Sequence, residues 1–135
     1  MAGLDTSAHP MKFIIAFTDL ETLLKGAGIS KQTKNQTFTL SACAARVFVE
    51  FESDVAGIEE LILSDGAVKL WSTNFIAMLN TYKGTRFLSF EGGPDGLKVQ
   101  NFTMPILAWN PCPQPPAHFH IFPATDLGIL LPPKA

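Results

Sequence analysis

The sequence predicts an α+β fold, in which two β-α-β-β-β units form paired antiparallel sheets with two helices on one face. Three observations predict it. Two stretches, Lys12 to Ser64 and Ala67 to Pro123, each read as a short strand, a helix and three further strands. The chain has 135 residues, the size of a single domain able to bury one core. Hydrophobic residues make up 47% of it, with eleven Phe against one Tyr. Phe carries no polar handle, so most of these rings are expected inside.

Each element follows from local pattern. Met1–Pro10 is small and polar and reads as a frayed leader before a single domain at 11–123. Met11–Phe17 (MKFIIAF) is a buried strand. Thr18 or Asp19 can cap a first helix whose Leu20, Leu23, Leu24 and Ala27 recur at helical spacing, and Gly26 and Gly28 end it. The polar run Ser30–Gln36 is a loop. Thr37–Ala44 and Arg46–Glu52 are strands, Ser53–Gly57 a turn, and Glu60–Ser64 a third strand. Asp65-Gly66 is a strong hairpin signal that leads into Ala67–Trp71.

In the second unit, Ser72, Thr73 or Asn74 can cap a helix with Phe75, Ile76, Leu79 and Tyr82 as its inner stripe, stopped by Gly84. Arg86–Glu91 is a strand, and Gly92–Gly96 a turn. Leu97–Ile106 is a long strand whose Pro105 favours an edge or a terminus. Asn110–Pro116 is a proline-rich connection to a last strand, His118–Phe122. The tail at 124–135 carries Leu127, Ile129, Leu130 and Leu131, too apolar to hang in water. It is expected to pack on its own domain or to dock on a neighbouring subunit or partner.

Charge and cysteine usage exclude several classes. The net charge of −2 gives no global attraction to nucleic acid or to an anionic membrane, so any DNA contact needs a local basic patch. Cys43 and Cys112 form no Cys-x-x-Cys pair and are expected as free thiols. The N-terminus lacks the basic start and apolar run of a signal peptide, and no segment approaches the roughly 20 apolar residues of a membrane span. The expected location is cytoplasmic, away from membranes.

Three quoted stretches carry a resemblance: MKFIIAF before the Leu-rich LETLLKGAG, the second strand-helix step AVKLWSTNFIAMLNTYKG, and a strand ending in NFTMPI. Together they resemble the repeating domain of DNA sliding clamps, the bacterial polymerase III beta subunit and its eukaryotic and archaeal counterparts, over roughly Met11 to Phe122. The resemblance implies a ring of such domains set edge to edge, helices lining the hole and sheets outside. Lining Lys and Arg would then touch DNA phosphates without reading sequence. Known clamps carry more than one such domain per chain, so a ring of the usual size would take about six copies of this one. On this chain the implied phosphate contacts are Lys25, Lys31, Lys34, Lys83 and Arg86. Replication or repair proteins are the implied further partners.

Other constellations are weaker. His118-x-His120 would put both imidazoles on one side of a strand, with Asp126 as a conceivable third ligand, but two histidines do not make a tight metal site. Glu59-Glu60 points to opposite faces of a strand, and Ser64-Asp65-Gly66 is no nucleophile elbow. The glycine-rich turn at Gly92–Gly96 precedes a strand rather than a helix, so no helix N-terminus is there to hold phosphate. No catalytic residue, metal or cofactor is expected. The expected function is a non-catalytic, self-assembling clamp-like module that binds duplex DNA. The alternative is a structural or protein-interaction module of the same fold without DNA binding.

Overall fold

The computed structural model describes residues 10–30 and 34–124. The leader before residue 10, Lys31, and the tail residues Leu127, Ile129, Leu130 and Leu131 lie outside the described residues. Strand β1 (Met11–Ala16) runs without a loop into α1 (Phe17–Gly26). A meander follows: β2 (Thr37–Cys43), β3 (Arg46–Phe51) and β4 (Asp54–Glu59), then β5 (Leu61–Ser64). Strand β6 (Gly66–Trp71) again enters a helix directly, α2 (Ser72–Thr81). The second meander is β7 (Phe87–Gly93), β8 (Gly96–Val99) and β9 (Phe102–Met104), followed by β10 (Ala108–Asn110) and β11 (His120–Phe122).

Among the described residues the fold is α+β, with two helices and two sheets ordered β5-β1-β7-β8-β9 and β10-β6-β2-β3-β4-β11. All pairings are antiparallel except β11 with β4. The units do not stand side by side. Each gives its first strand to the other's meander: β1 pairs with β7, and β6 pairs with β2. Each helix is therefore the crossing from one sheet to the other. Each unit holds more strands than its local pattern predicts. In both, the strand after the meander returns to the first, β5 on β1 and β10 on β6, and the second unit adds β11, which pairs with β4.

Several local expectations are corrected. Ser53–Gly57 is not a turn: the chain reverses at Glu52 (φ 54), and Asp54 already pairs with Phe51. The long strand at 97–106 is broken into a hairpin. There Gln100 takes φ 55, its N–H donates to the Ser89 carbonyl, and its side-chain Oε1 accepts from the Ser89 N–H at 2.7 Å. Asp65-Gly66 is no hairpin turn either, because β5 and β6 lie in different sheets. Gly66 serves close packing: an added Cβ would stand 2.6 Å from the Met11 Cβ and 2.8 Å from the Trp109 ring. The last strand is shorter than expected, and His118 precedes it.

Neither helix is capped as its own sequence suggests. Ala16 and Trp71 stand at the N-caps with no side-chain cap bond, and Asp19 is buried in the first turn of α1. For α2 the cap comes from a distance. The Asn35 Oδ1 accepts from the Thr73 N–H at 3.2 Å, and the Ser72 hydroxyl accepts from the Gln36 N–H at 3.1 Å. The glycine signals do hold at the other end of α1. Gly28 sits at φ 88 in a Schellman motif, with Ile29 N–H donating to Leu24 O and Gly28 N–H to Lys25 O.

A line of rings forms the centre of the core. Phe13 stacks on Phe90 with centroids 4.9 Å apart, Phe75 of α2 lies 6.2 Å from Phe90, and Phe38 meets Phe75 edge-on at 5.2 Å. Phe75 thus ties a strand of each sheet to α2, and each such pair adds about 0.5–1.5 kcal/mol beyond area burial. Most rings are inside as expected; Phe102 is the exception, 48% exposed.

Candidate nucleic-acid interface

The helices α1 and α2 flank one groove of about 350 Å³ on a shared face. Its floor is apolar, from Leu24 and Ile29 on one side and Ile76 and Leu79 on the other. Leu24 and Leu79 belong to the buried stripes of their helices, Ile29 is buried just past the end of α1, and Ile76 is half-buried beside Leu79. The rim is polar and carries Lys25 and Lys83.

The structure brings Lys25 and Lys83 together and leaves Lys34 apart. Lys25 occupies the last turn of α1, and Lys83 lies just past α2, its N–H donating to Asn80 O. Both lysines neighbour helix C-termini, whose partial negative charge favours a cation there. Lys83 and Arg86 share an adjoining depression with the first turn of α1. The Phe17 N–H donates to the Arg86 carbonyl at 2.9 Å, and the Arg86 guanidinium lies 5.3 Å from the Phe87 ring centroid. Lys34 is exposed beside the N-terminus of α2, its carbonyl accepting from the Ser72 hydroxyl. Lys31 lies outside the described residues.

One acid faces this group. Glu21, exposed on α1, lines both depressions and offsets part of the positive charge. The other described lysines serve the sheets. Lys12 and Lys98 flank Glu91 in register on neighbouring strands, and Lys69 pairs across β2 and β10. The sequence sets Glu21 on the outer face of α1 four residues from Lys25, and the structure adds that it lines both depressions.

The remaining candidates lie away from this groove. His118 and His120 are both exposed, Asp126 lies outside the described residues, and among the described residues no three His, Cys, Asp or Glu could hold a metal. Cys112 is exposed and Cys43 buried. Burial, and secondarily the negative charge of Asp65, pushes the Cys43 thiol above its ordinary pKa, which makes it a poor nucleophile. Glu59, the last residue of β4, is exposed, and Glu60, between β4 and β5, is buried. Among the described residues no helix is long and apolar enough to cross a membrane.

A second opening of about 470 Å³ lies on the opposite side of α2, against β9. Ala77, Met78 and Thr81 face Phe102, Met104 and Pro105 across it. No protein-family model matches this chain, and no curated protein matches it.

Proposed function

We propose that this chain is a non-catalytic, DNA clamp-like module that binds duplex DNA through phosphates after self-assembly. One observation carries the reading: Lys25 and Lys83, from two different helices, converge on one groove of a shared helical face, with Arg86 at its end. A surface that touches phosphates without reading bases needs cations held at fixed positions and no built pocket for a base. The interlocked strand-helix repeat suits such a module, since it sets both helices on one face and leaves sheet edges for neighbours. A single copy offers few cations, so binding depends on several copies acting together. The cytoplasm and the company of replication or repair proteins fit this role.

The test is anisotropy of a labelled duplex across protein concentration and salt, alongside solution mass. Affinity should fall steeply from about 50 to 200 mM salt. No binding at the lower salt at any protein concentration would remove DNA from the reading.

Glu21 favours a second reading. An acid between two lysines suits a protein partner of mixed charge better than a polyphosphate. Exposed Leu63 on β5 and Ile121 on β11 give such a partner apolar contacts at sheet edges. Under this reading the module joins proteins and binds no DNA, and it self-associates with no salt-sensitive duplex affinity.

A further inference from the structure

The two units place equivalent elements in equivalent positions, and one position is filled in the first unit only. The helices are both ten residues long, so Gly26 at the end of α1 corresponds to Thr81 at the end of α2. Strand β4, last of the first meander, corresponds to β9, last of the second. Strand β11 lies parallel on β4 and puts the Phe122 ring between α1 and that strand, against Gly26 and Ala56. The corresponding place between α2 and β9 is the 470 Å³ opening. Among the described residues no strand covers the outer edge of β9, and Phe102 beside it is 48% exposed.

We infer that this opening and the edge of β9 take an apolar strand from a second copy of this chain, the segment Leu127–Leu131. The lining states the chemistry of the occupant. Ala77, Met78, Phe102, Met104 and Pro105 offer apolar surface and no charge. Thr81 carries the Cβ that Gly26 lacks, so the floor is shallower than under Phe122 and suits Leu or Ile rather than a ring. The bare edge of β9 supplies backbone donors and acceptors for an extended segment, as in strand addition to a sheet edge. Leu127, Ile129, Leu130 and Leu131 provide such a segment just past β11.

Reach decides that the segment comes from another copy. Phe122 lies beside α1, and the opening is on the side of α2 away from the groove that α1 and α2 share. Two helices, each about 10–12 Å across with side chains, therefore separate the two places. Ala124 to Leu127 spans at most about 11 Å, and even Leu130, six residues past Ala124, reaches at most about 22 Å in a straight line, short of a path around both helices. A strand given to the next copy is a heterologous contact, which closes into a ring or continues as a filament.

This deepens the assembly part of the proposed function and is independent of DNA. The experiment is solution mass of the full chain over a concentration series, with Leu130→Glu, Thr81→Lys and the double variant. Thr81 is exposed, and far-UV circular dichroism checks the fold of each variant. Each single variant should weaken self-association at least about tenfold, as for loss of an interface anchor, and the double variant should recover it by pairing the new charges. Association untouched by either single variant overturns the inference and leaves the assembly reading standing. A wild-type chain that is monomeric at every concentration overturns both. Association that follows the variants while no duplex binds supports the inference and removes DNA alone.

Discussion

The ring of Phe122 occupies the space that a side chain on Gly26 would need: a Cβ there would stand 2.5 Å from the ring. Helix α1 and strand β11 are fitted to each other through that missing atom. Gly26→Ala should gain helix propensity of about 1 kcal/mol and lose more by displacing the ring. The expected result is a net loss of stability in urea titration, with faster amide exchange in β11. With Phe122→Ala also present, Gly26→Ala should cost much less, because the two changes remove one contact.

Gly66 is a stricter case. The atom nearest an added Cβ is the Met11 Cβ, which is attached to the backbone of β1 and cannot swing aside as a ring can. Gly66→Ala should destabilise by about 1–3 kcal/mol through overpacking where the chain passes between sheets. Urea midpoints compared with Gly93→Ala, where nothing lies within 4 Å, check it.

The remote cap of α2 gives a third expectation. Asn35→Ala removes the acceptor for the Thr73 N–H and should cost about 1 kcal/mol. Ser72→Ala should cost a similar amount, since the Gln36 N–H loses its hydroxyl partner. A shift in thermal midpoint smaller than that of an exposed control such as Thr103→Ala would contradict both.

Cys43 couples stability to alkaline pH. Its thiol pKa is raised in the folded chain, by burial first and Asp65 second. A raised acid pKa means the unfolded chain releases its proton first. The contribution to stability is thus complete below the unfolded value of about 8.5 and is lost as pH rises through the folded value. Cys43→Ala should remove that part of the alkaline decline in urea midpoint. With a disulfide reagent at neutral pH, Cys112 should react quickly and Cys43 only on unfolding.

The basic face gives the last expectation. Lys25→Ala and Lys83→Ala should each weaken duplex binding about equally for all sequences and lower the salt slope by about 1 per contact. Glu21→Gln should strengthen binding, and Lys69→Ala, on a sheet away from the helices, should leave it unchanged. Anisotropy at several salt concentrations separates these outcomes.

Local sequence was enough for what depends on local physics. The step from MKFIIAF into a Leu-rich helix, the inner residues of α1, Phe75 and Leu79 of α2, and the Gly28 stop follow from periodicity and backbone freedom; in α2 the structure buries Met78 and leaves the expected Ile76 and Tyr82 half-buried. The placement of most Phe inside follows from hydrophobicity. Hydrogen bonds between distant residues decided the rest. Ser89 sets the break at Gln100, Asn35 sets the cap of α2, and pairing of β1 with β7 and β6 with β2 makes Asp65-Gly66 a crossing rather than a hairpin. The convergence of Lys25 and Lys83, like the open counterpart of the Phe122 site, belongs to this second kind. No local pattern records it, because it exists only once α1 and α2 lie against the same pair of sheets.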